Sequence, residues 1–371
     1  MRSFESLIRE VQNAGLCHRC GGCVNFCTAI NYGALEQDPT GLPRFSDREK
    51  CLECGICYMI CPETRELEGE LEQRFHWKLP AGPILEVAAA RGTDPEVLKK
   101  ASDGGAITSL LMSLLDSGSI EGALVSMPTG PFTREPYLAT TKREILESAG
   151  LSLQVSHGMQ HFSRLYSSET DTFPELRPLL RRRLRKVAYV GTPRQIKSVR
   201  KMEYLGLVPA DRIRYCFGLF CFGNYGIGPT ERSYLERMGA FHWEEVERIN
   251  IKGEMQIHLT SGQTVRFPLQ DLEFMKSYAC RFCPDLSAEF ADISFSGLGA
   301  AAGWTSLVIR TPKGQLAINQ SAAAGWLELL RDDESPGIGN SILSVIEEHA
   351  ERKRTEATRH RKKLGQGVGD T

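Results

Sequence analysis

The stretch Cys17-His-Arg-Cys20-Gly-Gly-Cys23-Val-Asn-Phe-Cys27, echoed by Cys51-Leu-Glu-Cys54-Gly-Ile-Cys57-Tyr-Met-Ile-Cys61-Pro62, decides how the chain is read. Eight of the twelve cysteines sit in these two matched runs. Three thiolates separated by two residues wrap one corner of an iron–sulfur cubane. The fourth, ahead of a proline in the second run, reaches away to the other cluster. The pattern predicts two [4Fe–4S] clusters with crossed ligation. Cys17, Cys20, Cys23 and Cys61 would hold one; Cys51, Cys54, Cys57 and Cys27 the other. Structural zinc also uses Cys-x-x-Cys, but it takes four ligands per metal and has no use for a third Cys at the same step. A disulfide framework fits less well still.

Working outward, residues 1–16 read as a lead-in helix with Phe4, Leu7, Ile8 and Val11 on one face. Between the runs, Asp38-Pro39-Thr40-Gly41 reads as a turn joining short strands. This is the duplication of a two-cluster, ferredoxin-like head. Residues 62–82, ending at Pro80-Ala81-Gly82-Pro83, read as a linker, so the head and linker occupy 1–82.

Beyond the linker, strands and helices alternate. The expectation is a mixed α/β (α+β) chain: the small head, a larger α/β domain over 83–335, and a C-terminal helix with a polar tail over 336–371. Strands are expected over 84–90, 123–127, 187–190, 212–221 and 292–296. Helices are expected over 95–100, 106–116, 142–148 and 194–202, with Thr192 as N-cap and Pro193 as first helical residue. Residues 255–260 and 263–267 read as a hairpin, 268–277 as helix, and 304–310 with 315–319 as another hairpin around Pro312-Lys313-Gly314. Helices near 321–331 and 340–355 follow, with a disordered tail. The stretch 164–183 reads as irregular. Ser102-Asp103-Gly104-Gly105 opens one helix, and a Gly-rich turn at a helix start suits an anion or is mere turn chemistry. Arg194, in a first helical turn where the dipole disfavours a cation, points to an anionic partner or is a surface arginine. Gly297 to Gly303 departs from the dinucleotide fingerprint, because its last glycine comes a residue late and no helix pattern follows.

Composition excludes several classes. Lys and Arg number 45 against 46 Asp and Glu, for a net charge of −1. With pI about 6.7 and mean hydropathy −0.26, no global field selects nucleic acid. Two basic runs, Arg181 to Lys186 and Arg352 to Lys363, read as solvated helix faces or as docking patches for an acidic partner or phosphate-bearing cofactor. The start, Met1 to Val11, lacks the apolar core of a signal peptide. No apolar run approaches the ~20 residues of a membrane span. Thiols without an export signal fit the cytoplasm. His157 and His161 stand at helical spacing without the glutamate of a metalloprotease motif, and read as structural or surface residues.

Four cysteines remain: Cys216, Cys221, Cys280 and Cys283. Cys280-x-x-Cys283 ahead of Pro284 favours a third [4Fe–4S] cluster, with zinc as the alternative and plain buried thiols as the bland reading.

Four motifs carry a resemblance: Ser102-Asp-Gly-Gly-Ala-Ile-Thr108, Val190-Gly-Thr-Pro-Arg-Gln-Ile196, Gly218-Leu-Phe-Cys221, and Ala279-Cys-Arg-Phe-Cys283 with Ala291-Asp-Ile-Ser and Gly303-Trp-Thr305. Together they resemble the beta subunits of coenzyme F420 hydrogenase and dehydrogenase. The resemblance implies a flavoprotein oxidoreductase. FAD would sit in the large domain, exchange a hydride with F420 and exchange single electrons with a nearby cluster. Flavin contacts are implied at Ser102, Gly104, Gly105 and Thr108, and at Gly191, Thr192, Pro193, Arg194 and Gln195. Cys221, Cys280 and Cys283 match the family's cluster positions. Many members carry cysteine where this chain has Arg194; Cys216 is then expected to supply the fourth thiolate, and Arg194 to face flavin or substrate phosphate. The implied partner is another redox subunit, of a hydrogenase, formate dehydrogenase, heterodisulfide-reductase-like or membrane dehydrogenase complex, through which the chain would reach a membrane. Competing readings are a flavin-free electron relay and a zinc-stapled module binding nucleic acid.

Overall fold

The computed structural model describes residues 2–365 apart from 31–32, 39, 131–132, 151–183, 208–209, 252 and 334. His157, His161, Arg181 to Arg183 and the stretch 164–183 lie outside the described residues.

The head starts with helix α1 (Phe4–Leu7), which runs into a π-helical turn over Ile8–Gln12. Then come α2 (Gly22–Ile30), the antiparallel strands β1 (Leu35–Gln37) and β2 (Pro43–Phe45), and α3 (Ile56–Met59). The β1–β2 turn closes because Asp38 Oδ1 accepts from the backbone of Thr40 at 2.8 Å and of Leu42 at 3.0 Å. Phe4, Leu7, Val11 and Leu16 pack with Leu35 and Tyr58 into a small core. Residues 62–82 are more than a tether. They contain helix α4 (Glu68–Phe75), whose Leu71 is fully buried, and Trp77 Nε1 donates to Glu289 at 2.6 Å.

The body is an eight-stranded mixed sheet. Its strands are β3 (Glu86–Gly92), β4 (Gly122–Gly130), β5 (Thr133–Ala139), β6 (Val187–Gly191), β7 (Ile213–Leu219), β11 (Ile293–Ser296), β12 (Thr305–Ile309) and β13 (Leu327–Leu330), in the spatial order β13-β3-β12-β11-β7-β6-β4-β5. Neighbours β4, β6, β7 and β11 are parallel. Strand β3 runs the same way, since both it and β11 are antiparallel to β12. Helices α5 (Pro95–Lys100), α6 (Ala106–Asp116) and α7 (Lys142–Glu147) lie on one face. On the other lies α8 (Pro193–Tyr204), packed against the head. Alternation along β7 sorts its side chains accordingly: Tyr215 and Phe217 face the α6 core, and Cys216 faces the α8 core. A satellite unit carries α9 (Pro229–Gly239) and the antiparallel sheet β8 (Val246–Ile251), β9 (Glu254–Leu259), β10 (Thr264–Pro268), with its own apolar core.

The C-terminal ends of β3, β6, β7 and β11 share one edge, where open α/β sheets bind ligands. Four connections gather there. Gly104 ties the first to its neighbours: its carbonyl accepts from Gly92 at 2.7 Å, and its N–H donates to Thr305 Oγ1 at 3.1 Å. A Cβ on Gly104 would come within 2.6 Å of the Ala90 carbonyl and 2.9 Å of the Thr305 nitrogen, both backbone atoms that cannot step aside.

Four expectations are corrected. Residues 315–319 are not a strand: Thr311 caps and Pro312 opens helix α10 (Pro312–Ala323), with Gly314 N donating to Thr311 Oγ1. The stretch near 321–331 is therefore the end of α10 followed by β13, which pairs with β3. Residues 268–277 hold only a 3-10 turn over Leu269–Leu272. The last helix, α11 (Ile338–Lys363), runs well beyond residue 355. Its basic end stays helical because its side chains find acceptors. Lys353 Nζ donates to the Asp285 carbonyl at 2.7 Å and to the Cys221 carbonyl, and Arg354 donates to Glu289 at 2.6 Å.

Candidate metal centre at the head–body junction

The two cysteine runs adopt the same backbone. The residue before the second cysteine is left-handed in each, Arg19 at φ 56° and Glu53 at φ 50°. The glycine after it is left-handed too, Gly21 at φ 80° and Gly55 at φ 76°. These paired kinks bend each run at the same two places.

Cys27, Cys51, Cys54 and Cys57 line one hollow beneath Phe4 and Phe26. Burial pushes the Cys57 thiol up to about 12, with the thiols of Cys54, Cys27 and Cys51 adding to it. The other four cysteines form a second group. Burial pushes Cys17 and Cys20 up to about 11 and Cys61 to about 12, and carries Cys23 well above its ordinary value; neighbouring thiols of the same group add to each. Free thiolates are disfavoured in such a place, whereas a cationic iron–sulfur core takes up their charge. The grouping brings Cys61 to Cys17, Cys20 and Cys23, and Cys27 to the later run. Among the described residues no three His, Cys, Asp or Glu side chains converge at the spacing of a single ion; a cubane holds its ligands on separate irons and spreads them further.

The body adds Cys221 past the end of β7, and Cys280 and Cys283 at the 3-10 turn Tyr278–Phe282. Cys221 and Cys283 line a hollow with His18 and Cys20 of the head and Thr192, Pro193, Arg194 and Gln195 of the body. The Cys280 sulfur accepts from Asn224 N at 3.2 Å. Burial works against ionising Cys280, but the His18 ring beside it and the charge of Arg194 outweigh it and bring the thiol down to about 6.

Glu63 is the hub of this junction. Its side chain is 4% exposed, with Arg194 Nε at 2.8 Å, Arg361 Nη2 at 3.1 Å and His18 Nε2 at 3.2 Å. Burial opposes its charge, yet Arg194, His18 and Arg361 hold the carboxyl well below the usual range. Head, α8 and α11 thus meet on one buried carboxylate. Lys201 of α8 adds a fully buried ammonium that donates to the Cys61 carbonyl at 2.6 Å and the Thr64 carbonyl at 3.0 Å. Burial, reinforced by Lys197, brings its pKa down to about 8.

Two expectations change here. Arg194 presents no free fork for a phosphate, because Glu63 and the Ala279 carbonyl engage it. Cys216 is not brought to Cys221, Cys280 and Cys283. It is fully buried mid-strand under Ile196 and Val199, with its N–H donated to Asp292 at 2.8 Å. Burial pushes its thiol up, and the charges nearest it belong to Arg200, Glu203 and Asp292.

The turns named for flavin divide. Thr192, Pro193, Arg194 and Gln195 line the junction hollow. Thr192 and Gln195 also cap α8, with Thr192 N donating to Gln195 Oε1 at 3.0 Å. Ser102, Gly104, Gly105 and Thr108 stand at the β3 end of the same sheet edge, four strand spacings or about 19 Å away. The glycines are accounted for by the chain itself: a Cβ on Gly191 would meet the Tyr189 ring at 2.6 Å, and one on Gly105 would meet Val97 at 2.8 Å. His18, Glu63, Lys201 and Asn224 escaped sequence reasoning. His18 alone carried a hint, by standing between two cluster cysteines.

Beside the junction, burial and the Asp285 carboxylate push the pKa of Glu289 up to about 7, from 4.5, against Arg354 and Trp77. Between those values the folded chain binds more protons than the unfolded one. This contribution to stability is therefore full below about pH 4.5 and lost as pH rises through about 7. Glu289→Gln should flatten that part of the stability curve by about 1–3 kcal/mol. Denaturant titrations of both chains across this window check it; parallel curves would contradict it.

Residues 9–62 match a 4Fe-4S dicluster domain. Residues 87–161 and 184–335 match the N-terminal and C-terminal parts of the coenzyme F420 hydrogenase/dehydrogenase beta subunit. The coenzyme F420 hydrogenase subunit beta of Methanococcus voltae is 30% identical over 77% of this chain and 98% of its own length. The chain belongs to the family of coenzyme F420 hydrogenase/dehydrogenase beta subunits. Among its relatives is a component of the F420H2 dehydrogenase of Methanosarcina mazei, 23% identical over 89% of this chain and 88% of that one. A chain of the F420-reducing [NiFe] hydrogenase complex from Methanosarcina barkeri superposes with a TM-score of 0.67 at 25% identity, covering 79% of this chain and 98% of that one. As a family member with a dicluster head, the chain belongs with electron-transferring oxidoreductases. Among the described residues no helix is long and apolar enough to cross a membrane.

Proposed function

We propose that this chain is an iron–sulfur flavoprotein subunit that moves electrons between coenzyme F420 and a partner redox subunit, through FAD and three [4Fe–4S] clusters. Cys17, Cys20, Cys23 and Cys61 hold one cluster, Cys51, Cys54, Cys57 and Cys27 the second, and Cys221, Cys280 and Cys283 the third. One observation carries the reading: Cys20 of the head and Cys221 and Cys283 of the body line the same hollow. Electrons leaving the body therefore have a short step into the head.

A reduced deazaflavin gives up a hydride, two electrons at once, and a cubane takes one; bound flavin supplies the chemistry that converts between them. The chain's own residues do the rest. The Ser102–Thr108 and Gly191–Gln195 segments, about 19 Å apart along one sheet edge, would contact the two ends of the dinucleotide. Glu63 and Arg194 fix the head against the body. Lys201 places a positive charge beside Cys61, which favours electron arrival at that cluster. Cys54 is exposed beside Leu52, which is 67% exposed, so the second cluster is the exit toward a partner. The names of the relatives point to a hydrogenase or dehydrogenase assembly as the partner, and cysteine clusters of this kind fit the reducing cytoplasm. A flavin-free relay is the second reading, favoured by the chain contacts that already explain Gly104, Gly105 and Gly191.

Anaerobic stopped-flow mixing separates these. Reduced F420 should bleach a flavin band and then the broad cluster absorption, while NADH should leave both unchanged. Bleaching by NADH alone, or clusters reduced in a chain that binds no flavin, would overturn the proposal.

A further inference from the structure

The cysteines do not divide evenly among three cubanes. Eight stand in the two head groups, and Cys216 is locked in the α8 core, facing Arg200 and Asp292. The body site is left with Cys221, Cys280 and Cys283. A cubane has four irons, so three thiolates leave one iron open to a fourth ligand from the protein or from solvent.

The residues around the hollow can be tested one by one. Arg194 has only donors and no lone pair to offer. Cys20 is grouped with Cys17 and Cys61 in the head. Gln195 Oε1 is spent on the Thr192 N–H. Asn224 touches the site through its backbone N–H, donated to Cys280, and its side chain offers only an amide oxygen, a poor donor to a thiolate-bound iron compared with an imidazole. His18 is different. It lines the hollow beside Cys221 and Cys283 and comes within hydrogen-bond reach of Cys280. Its side chain is only 4% exposed, and neither ring nitrogen makes a well-aligned hydrogen bond. An imidazole buried without a satisfied nitrogen is costly unless something else takes its lone pair.

The orientation also fits ligation. His18 Nε2 stands 3.2 Å from Glu63 Oε1. Metal-bound histidines characteristically give their other ring N–H to a carboxylate, which fixes the tautomer. With Nε2–H directed at Glu63, the Nδ1 lone pair is the one left for iron. Glu63 is in turn held by Arg194 and Arg361, so the carboxylate that orients the ring is itself fixed.

We propose that His18, contributed by the head, is the fourth protein ligand of the cluster held by Cys221, Cys280 and Cys283 of the body. This rests on the third-cluster reading above. Ligation here is lone-pair donation to iron, with the ring proton kept on Nε2, and no electron is transferred in forming the bond. Two consequences follow. The cluster staples head to body. And a neutral imidazole in place of a thiolate removes one negative charge, which raises the cluster's potential relative to an all-cysteine site, as histidine ligation does in two-iron centres.

The test uses the full chain, reconstituted anaerobically with iron and sulfide, as wild type, His18→Ala and His18→Cys. Iron is counted, and pulsed EPR of the reduced protein is recorded with and without isotopically labelled histidine. The expected wild type binds about twelve irons and shows one cluster with a strongly coupled, label-sensitive nitrogen. His18→Ala should lose that coupling and one to four irons. His18→Cys should regain the full iron count, lose the coupling, and show a lower potential for that cluster. About twelve irons with no nitrogen coupling, and a spectrum unchanged in His18→Ala, would overturn the ligand assignment while leaving the third cluster standing. About eight irons in the wild type would overturn the third cluster and this inference with it.

Discussion

Replacing Glu63 with alanine should lower the unfolding free energy by about 3–5 kcal/mol, the usual cost of removing one partner from a buried ionic cluster. The substitution strands His18, Arg194 and Arg361 around an empty site, and their side chains are 4%, 12% and 24% exposed. Those three residues belong to the head, to α8 and to α11, so the loss falls on the junction rather than on either core. Proteolytic cleavage within residues 62–82 should therefore speed up together with the drop in stability. Glu63→Gln, which keeps the volume and an acceptor, should cost less. Anaerobic denaturant titration reads the effect. A loss below about 1 kcal/mol would mean that the carboxylate is no more than a surface-grade ion pair.

The second large effect comes from paired cysteine substitutions. Crossed ligation requires Cys17 and Cys61 to serve one cluster and Cys17 and Cys27 to serve two. The double variant Cys17→Ala/Cys61→Ala should thus lose about four irons and keep the signal of the other head cluster. Cys17→Ala/Cys27→Ala should lose about eight and both head signals. If each run held its own cluster, the two results would be exchanged. Iron analysis with EPR of the reduced chains decides between them.

Much of this was readable in the sequence, for identifiable reasons. The two cysteine runs announce the dicluster head because ligand spacing is local. Helices 95–100 and 106–116 fell where expected because Asp94-Pro95 and Gly105 mark their starts. Thr192-Pro193 likewise opened α8. The misreadings share one cause, which is that local chemistry is ambiguous until partners are known. Thr311-Pro312-Lys313-Gly314 can close a hairpin or open a helix, and packing of Ala317 and Ile318 against the α6 core selects the helix. The basic end of α11 read as a solvated tail because its acceptors, Glu63, Glu289 and the Cys221 carbonyl, lie far away in sequence. Cys216 looked like a spare ligand because counting cannot see which face of β7 a thiol takes. The mixed α/β architecture and the family were legible from motifs spread over the body, whereas the Glu63 junction exists only once head and body are docked.

On this reading the chain is built around iron–sulfur clusters, two in the head and one at the junction. The most direct measurement is the iron and acid-labile sulfide content of the full chain purified without oxygen, with its Mössbauer spectrum. About twelve of each per chain are expected, in cubane environments. A colourless protein carrying stoichiometric zinc and no sulfide would contradict it.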